Sequence, residues 1–136
     1  MAVLDTTVLI DLMPRRDPTR SRRAAACLAR VAANGQMVAT TRLNVAEMWV
    51  GVESAENKAT ERQRIEAVLA DLVILDFDDR SAHRYGMVEA YLRSVGRPAG
   101  EMDTLIAAIC LVHGQSIVTR NPRHFADVPG LVVEAY

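Results

Sequence analysis

The sequence has 136 residues, enough for one domain with a sizeable core; half of them are hydrophobic but only 4% are aromatic. This composition favours helices packed on a parallel sheet over an aromatic-rich β-sandwich. The formal net charge of −1 excludes a uniformly basic nucleic-acid-binding protein, although it allows a local basic groove.

Two features indicate the cellular compartment. Cys27 and Cys110 fall within apolar helical patterns with no metal-type partner nearby in sequence, which predicts buried, reduced thiols. No window approaches the ~18 apolar residues of a membrane span. The first strand begins at the second residue, so we expect no leader peptide and a soluble, cytoplasmic protein.

The chain opens with a short apolar run that ends in an acid. Val3 and Leu4 predict a strand buried on both faces. Asp5 follows, and Thr6 or Thr7 is expected to cap a short apolar helix. A carboxylate at the carboxyl end of a buried parallel strand lies where open α/β sheets bind ligands. The alternative is that Asp5 is only a turn or capping residue.

A group of arginines surrounds the next break, residues 14–18, which contains two prolines. Thr19 or Ser21 is expected to cap the helix that follows, which runs to about residue 33. The group could be a solvated helix start, or it could contact phosphates, because guanidinium pairs with phosphate oxygens bidentately. Its members are Arg15, Arg16, Arg20, Arg22 and Arg23.

Glu47 is the second candidate acid. A strand at 36–40 leads into a helix at about 42–52, in which Leu43 and Val50 lie four and three positions from Glu47 on the same face. This spacing predicts a half-buried carboxylate, and charged groups are rarely buried without a partner. The alternative is an ordinary surface glutamate.

The third candidate acid, Asp103, precedes the most apolar helix. Residues 101–113 form a helical pattern that is apolar on every side from Leu105 to Val112, as in a helix buried at the centre of a domain. Glu101 and Asp103 lie in its first turn, where the helix dipole alone would explain both. The remaining predicted elements are a joint between helices within 53–64, strands at 73–75, 116–119 and 131–133, and a helix at 80–94 capped by Asp78 or Asp79.

Strands that alternate with helices predict a parallel sheet with helices on both faces. In such a sheet Asp5, Glu47 and Asp103 can converge above the carboxyl ends of the strands, beside the loop that contains Asn121. Three carboxylates brought together repel one another unless a cation joins them. Mg²⁺ or Mn²⁺ takes oxygen ligands and keeps several waters, which suits hydrolysis of a phosphodiester.

Four short motifs, in this order, carry a resemblance to a known family. They are Leu-Asp5-Thr-Thr7, Asn-Val-Ala-Glu47, Asp103-Thr-Leu-Ile-Ala-Ala and Val-Thr119-Arg-Asn121. The chain resembles a PIN domain over its whole length and is similar to the VapC-type toxins of bacterial toxin–antitoxin pairs. The resemblance implies one domain over residues 1–136, a three-layer α/β/α sandwich with a short central parallel sheet of four to five strands. It also implies an endoribonuclease that uses Mg²⁺ or Mn²⁺ to cleave RNA. A cognate antitoxin would hold it inactive, as a homodimer or a hetero-oligomer with the antitoxin.

The resemblance also assigns residues. Asp5, Glu47 and Asp103 match the family's catalytic, metal-binding acids. Thr7, Thr119 and Asn121 would position substrate or water. Apart from the resemblance, the phosphate argument makes Arg15, Arg16 and Arg20 of the arginine group candidate RNA contacts.

The loop after the fourth strand departs from the family pattern. Members usually carry an aspartate at the third or sixth position of the stretch 119–124, where this chain has Asn121 and His124. Asn121 can still offer a carbonyl oxygen or hold a metal-bound water. The departure leaves the number of metal ions, one or two, open.

The sequence is also compatible at first sight with two other classes of protein. A catalytically silent PIN-like module that only binds RNA or an antitoxin is the alternative function. A phospho-acceptor receiver domain would need a lysine after a late strand, and the only lysine is Lys58, in the charged helical region, so that class is rejected. Met48 and Trp49 are expected to be exposed and to anchor the homodimer, because surface tryptophans tend to anchor interfaces.

Overall fold

The computed structural model describes residues 1–13 and 17–136 and contains five strands and six α-helices in those ranges. The strands are β1 (Ala2–Leu4), β2 (Val38–Thr41), β3 (Val73–Leu75), β4 (Ser116–Thr119) and β5 (Val133–Ala135). The helices are α1 (Thr6–Asp11), α2 (Pro18–Ala33), α3 (Arg42–Glu53), α4 (Lys58–Leu69), α5 (Asp79–Ser94) and α6 (Glu101–Val112), with a 3-10 helix at Pro122–His124.

All five strands pair in parallel, in the order β3-β2-β1-β4-β5. The chain builds outward from β1 to β3 in one direction and then returns to add β4 and β5 on the other side. The strand order therefore reverses between β1 and β4, where Leu4 pairs with Val118. Open α/β sheets bind ligands at such a switch point, just beyond the carboxyl ends of the strands. Asp5 and Thr119 lie at that edge.

Two apolar cores cover the two faces of the sheet. Val3 and Ile117 face a core shared with α5 and α6, whereas Leu4 and Val118 face a core built from α1 to α4. Residues 106–110 of α6 are fully buried, as their apolar pattern predicts. The alternating side chains of the short strands thus fill both cores, which confirms the three-layer α/β/α arrangement.

The start of α2 differs from the prediction. Asp17 caps this helix by accepting hydrogen bonds from the backbone N–H groups of Thr19 and Arg20 at 3.0 and 3.2 Å. The predicted cap at Thr19 or Ser21 is wrong because Pro18 occupies the first helical position, which suits its fixed φ and missing N–H. The cap is therefore the residue before the proline.

Further differences concern α1, α3 and β5. Thr6 lies inside α1, whose N-cap residue is Asp5. Met48 is only 2% exposed and packs in the core of α1 to α4, so its predicted surface position is wrong. The last strand begins at Val133 rather than at residue 131, because Gly130 turns the chain with a φ of 79° and delays pairing with β4. Asp78 caps α5 as predicted.

None of the helices in the described part of the chain has the length and apolar character that a membrane crossing requires.

Candidate acidic active site

Asp5 is held by three hydrogen bonds from neutral side chains. Its Oδ2 accepts from the hydroxyls of Thr7, at 3.1 Å, and Thr119, at 2.8 Å. Its Oδ1 accepts from the side-chain amide of Asn44 at 3.2 Å. Asp5 is 7% exposed and its carboxylate makes no capping bond to α1, although it occupies the N-cap position. The reading of Asp5 as only a capping residue is therefore wrong.

Glu47 is fixed by a second set of contacts from α1. The hydroxyl of Thr6 donates to Oε1 of Glu47 at 2.8 Å, and Thr6 in turn accepts from Asn44 at 3.0 Å. Glu47 is partly buried, as predicted, but Val50, expected to share its face, is 66% exposed. The partial burial of the carboxylate comes with its contact to α1, not with an apolar patch on α3.

Asn44 joins the two acids, and the sequence reading missed it. Its side chain is fully buried and donates both to Asp5 and to Thr6, while its amide oxygen accepts from the hydroxyl of Thr41 at 2.7 Å. The same residue closes a capping box with Thr41 at the start of α3. An asparagine three residues after a cap threonine is the one signal that could have indicated it.

Asp103 lies in the first turn of α6 and contacts His124 across the cleft. The distance from Nδ1 of His124 to Oδ2 of Asp103 is 3.3 Å, so the two form an ion pair when the imidazole is protonated. The Asp103 side chain is 27% exposed, more than Asp5. His124 occupies one of the two loop positions where the resembled family usually has an aspartate.

The three acids line one cleft of about 420 Å³. Burial raises the pKa of Glu47, and the charges of Asp5 and Asp103 raise it further, against the hydrogen bond from Thr6. Burial also raises the pKa of Asp103; the contact with His124 opposes this effect and the charge of Asp5 adds to it. The three carboxylates therefore act on one another electrostatically, as predicted for a shared pocket. The lining residues are Asp5, Thr6, Thr7, Glu47, Gly100, Glu101, Met102, Asp103, Asn121 and His124.

The donor set fits a hard divalent cation. Asp5, Glu47 and Asp103 offer carboxylate oxygens whose mutual repulsion a cation would relieve. In the described ranges, 1–13 and 17–136, no three Asp, Glu, His or Cys side chains are drawn together at full metal-ligand spacing. Mg²⁺ and Mn²⁺ tolerate this, because they keep several waters and need only a few carboxylates.

The remaining predicted residues divide between the cleft and its surroundings. Thr7 and Asn121 line the cleft, and the Asn121 N–H donates to the hydroxyl of Thr119 at 3.0 Å. Arg20 lies outside it, beside a separate hollow next to Asp11, and pairs with Asp17 at 3.4 Å. Arg15 and Arg16 lie outside the described residues.

The acids grouped after the third strand have structural roles. Asp76 pairs with Arg42 at 2.8 Å and Asp78 caps α5.

Comparison with known proteins gives one family. Residues 2–131 match the model of the PIN domain. The chain is 31% identical over 132 residues to "Ribonuclease VapC2" of Haemophilus influenzae, covering 97% of this chain and 95% of that protein.

Solved structures show the same fold. VapBC2 from Rickettsia felis, crystallised bound to a DNA fragment from its promoter, superposes with a TM-score of 0.87 at 24% identity and covers 99% of this chain and 98% of that one. VapBC-5 from Mycobacterium tuberculosis, a member of the VapBC family of toxin–antitoxin systems, gives a TM-score of 0.68 at 28% identity and covers 98% and 96%.

Proposed function

The chain belongs to the PIN-domain family and, within it, to the VapC ribonucleases, and we propose that it is a metal-dependent endoribonuclease that acts as the toxin of a toxin–antitoxin pair. The observation that carries this proposal is the cleft at the switch point of the sheet, into which Asp5, Glu47 and Asp103 all face. Burial, with a smaller contribution from the neighbouring acids, raises the pKa values of Glu47 and Asp103, as is common for carboxylates in functional clefts.

In this proposal Asp5, Glu47 and Asp103 hold a divalent cation, Mg²⁺ or Mn²⁺. When bound, the ion supplies an activated water and offsets the negative charge that develops on the scissile phosphate. The side chains of Thr6, Thr7, Asn44 and Thr119 keep Asp5 and Glu47 oriented, so that these acids need little rearrangement to act as ligands. Because carboxylates must be ionised to bind metal, the raised pKa values of Glu47 and Asp103 favour weaker metal binding at acid pH.

The two polar residues after β4 take different roles. The Thr119 hydroxyl has one proton, and it is donated to Asp5, so Thr119 positions the acid rather than the substrate. Asn121 lines the cleft, where its side-chain amide is placed to hold a water or an RNA oxygen. Arg20 lies outside the cleft, so a contact of this residue with RNA would be made along the chain flanking the scissile bond.

The proposed partners are RNA, a cognate antitoxin and a second copy of the chain, all in the cytoplasm, where RNA is found. Resemblance to a VapBC toxin–antitoxin complex supports the antitoxin. Trp49 supports the homodimer, because it is partly exposed on α3 next to the exposed Val50. Light scattering should give about twice the chain mass of 14.9 kDa, or a larger hetero-oligomer with antitoxin present.

A catalytically silent binding module is the second candidate, and Asn121 and His124 favour it because they replace the fourth acid. The two are separated by mapping 5′ and 3′ ends on total cellular RNA treated with purified protein and Mn²⁺. We expect internal cuts by the wild type and none by Asp5→Asn, a variant of the same shape. Absence of cutting by the wild type, with RNA retained on the protein, would establish the binding module.

A further inference from the structure

Asp11 is a buried carboxylate outside the acidic cleft, at the end of α1. It is 5% exposed, and Arg120 and Tyr136 contact it in the described part of the chain. Nη1 of Arg120 donates to both of its oxygens at 2.9 and 3.0 Å, and the hydroxyl of Tyr136 donates to Oδ2 at 2.7 Å. The three residues come from α1, the loop after β4 and the segment after β5.

This cluster is not well explained by stability alone. A carboxylate in the last turn of a helix faces the negative end of the helix dipole. A buried ion pair also loses much of its hydration, so its net contribution to folding is often small or unfavourable. A polar cluster of this kind instead fixes the positions of its members, because a fully hydrogen-bonded network is rigid.

Arg120 connects the cluster to the candidate active site. Its side chain binds Asp11, while its backbone N–H donates to the hydroxyl of Thr7 at 3.1 Å. The Thr7 hydroxyl donates in turn to Asp5. A path of hydrogen bonds therefore runs from Tyr136 through Asp11, Arg120 and Thr7 to the carboxylate of Asp5.

The neighbouring residue repeats the pattern. The N–H of Asn121 donates to the hydroxyl of Thr119, which donates to the same oxygen of Asp5. Both hydroxyls that hold Oδ2 of Asp5 thus accept a hydrogen bond from the loop backbone. Each hydroxyl therefore accepts from the loop backbone and donates its single proton to Asp5. The position of this loop therefore sets the orientation of the acid.

We propose that Asp11, Arg120 and Tyr136 form a clamp that positions Asp5 for RNA hydrolysis, with Tyr136 as its outermost positioning residue. The proposal rests on the proposed nuclease function. Tyr136 suits this role because its ring packs in the core of α1 to α4 while its hydroxyl reaches Asp11. β5, which precedes it, is a three-residue strand at the end of the sheet, beside β4, so the tyrosine also fastens that edge.

Replacing Tyr136 with phenylalanine tests the clamp, because it keeps the ring and removes the hydroxyl. The substrate is a fluorophore-labelled RNA stem–loop containing a site that the wild type cuts, assayed with Mn²⁺. We expect Tyr136→Phe to lower kcat roughly 3- to 10-fold with KM within about 2-fold, since it disturbs catalytic geometry and not RNA binding. Tyr91→Phe, at an exposed tyrosine of α5, is the matched control and should match the wild type.

A double-variant experiment tests the route of the effect. Asp11→Asn should lower kcat, and adding Tyr136→Phe to it should cause a smaller loss than Tyr136→Phe causes alone, because Tyr136 acts through Asp11 as well as through its direct contact with Thr7. Losses that simply multiply, or a Tyr136→Phe effect confined to KM, would overturn the clamp.

Amide hydrogen exchange tests the clamp without RNA or metal. In Tyr136→Phe the N–H groups of Arg120 and Asn121 should exchange at least about 10-fold faster, while that of Leu92 in α5 stays unchanged. Unchanged exchange at both loop amides would reject the clamp. A wild type that cuts no RNA would reject the nuclease function, and the exchange result would still decide whether the loop is clamped.

Discussion

Asp5 and Asp103 line the same cleft, but their carboxylates are held by different kinds of partner. Asp5 is nearly buried and accepts three hydrogen bonds from neutral groups, those of Thr7, Asn44 and Thr119. Asp103 is more exposed, and its contact in the cleft is with His124, which can carry a positive charge. Hydrogen bonds from neutral groups therefore organise the half of the cleft around Asp5, which we call the hydrogen-bonded half. Charge organises the half around Asp103, which we call the charged half.

The difference indicates that folding fixes the Asp5 carboxylate, whereas ligand binding acts more strongly on the surroundings of Asp103. Neutral donors fix the direction of the Asp5 carboxylate without cancelling its charge, so the charge stays available to a cation. Burial raises the pKa of Asp103 and the charge of Asp5 adds to this effect, whereas the contact with His124 opposes it. A cation should therefore change the Asp103 half more than the Asp5 half.

Disrupting the hydrogen bonds around Asp5 is expected to have the largest effect. Asn44→Ala removes the donor to Oδ1 of Asp5 and the donor to Thr6, and should lower Mn²⁺-dependent RNA cleavage by about 10- to 100-fold. It should also cost about 1–3 kcal/mol of unfolding free energy, because Asn44 is fully buried. Cleavage kinetics and urea unfolding measure both effects, and Val50→Ala, at an exposed position of α3, is the control. Wild-type cleavage by Asn44→Ala would show that the network does not organise the site.

Metal binding at the charged half of the cleft should stabilise the folded protein. With Mn²⁺ at 100 times its Kd, the unfolding free energy should rise by about 2.7 kcal/mol. Zn²⁺ should not be needed, since the acids of the cleft offer oxygen ligands. Thermal and urea unfolding with Mn²⁺ and with EDTA check this expectation, and identical curves would remove the cation from the site.

The raised pKa values give the metal-free protein a definite pH dependence. The folded-state pKa values of Glu47 and Asp103 lie above their ordinary values of 4.5 and 3.8, so folding favours the protonated acids. Their contribution to stability is present below the ordinary values and is lost as the pH rises through the folded-state values.

Unfolding in EDTA as a function of pH tests the sign. Compared with Glu47→Gln, the wild type should lose stability as the pH rises from about 4 through the acid range. A wild type that gains stability relative to Glu47→Gln over that range would show that folding does not raise the pKa of Glu47.

The backbone arrangement of the site follows from the sequence, whereas its side-chain contacts do not. The apolar runs and the alternation of strands with helices predicted the parallel sheet, and that sheet places Asp5 and Thr119 at one edge. The role of Asn44 depends on contact with Asp5, 39 positions away, and the role of His124 depends on how the 3-10 helix turns it toward α6. No local pattern encodes such contacts.

One incorrect prediction and one correct prediction with an incorrect reason have a similar cause. Met48 was expected at the surface, but α4 and the sheet cover that side of α3 and bury it. Glu47 was correctly expected to be half-buried. The expected reason was its apolar neighbours, whereas the structure shows a hydrogen bond from Thr6 of α1. In both cases the sequence predicted the helix itself. It did not show which element packs against each side of α3.

The shared pocket of three acids is tested most directly by unfolding Asp103→Asn and the wild type in urea, in EDTA and again in saturating Mn²⁺. Neutralising Asp103 relieves repulsion from Asp5 and Glu47, which we expect to outweigh the ~0.3–1 kcal/mol of helix-dipole stabilisation that is lost. The variant should therefore be as stable as the wild type in EDTA, or more stable by up to ~1 kcal/mol, and should gain much less from Mn²⁺. A clear loss of stability in EDTA together with a wild-type response to Mn²⁺ would contradict the shared pocket.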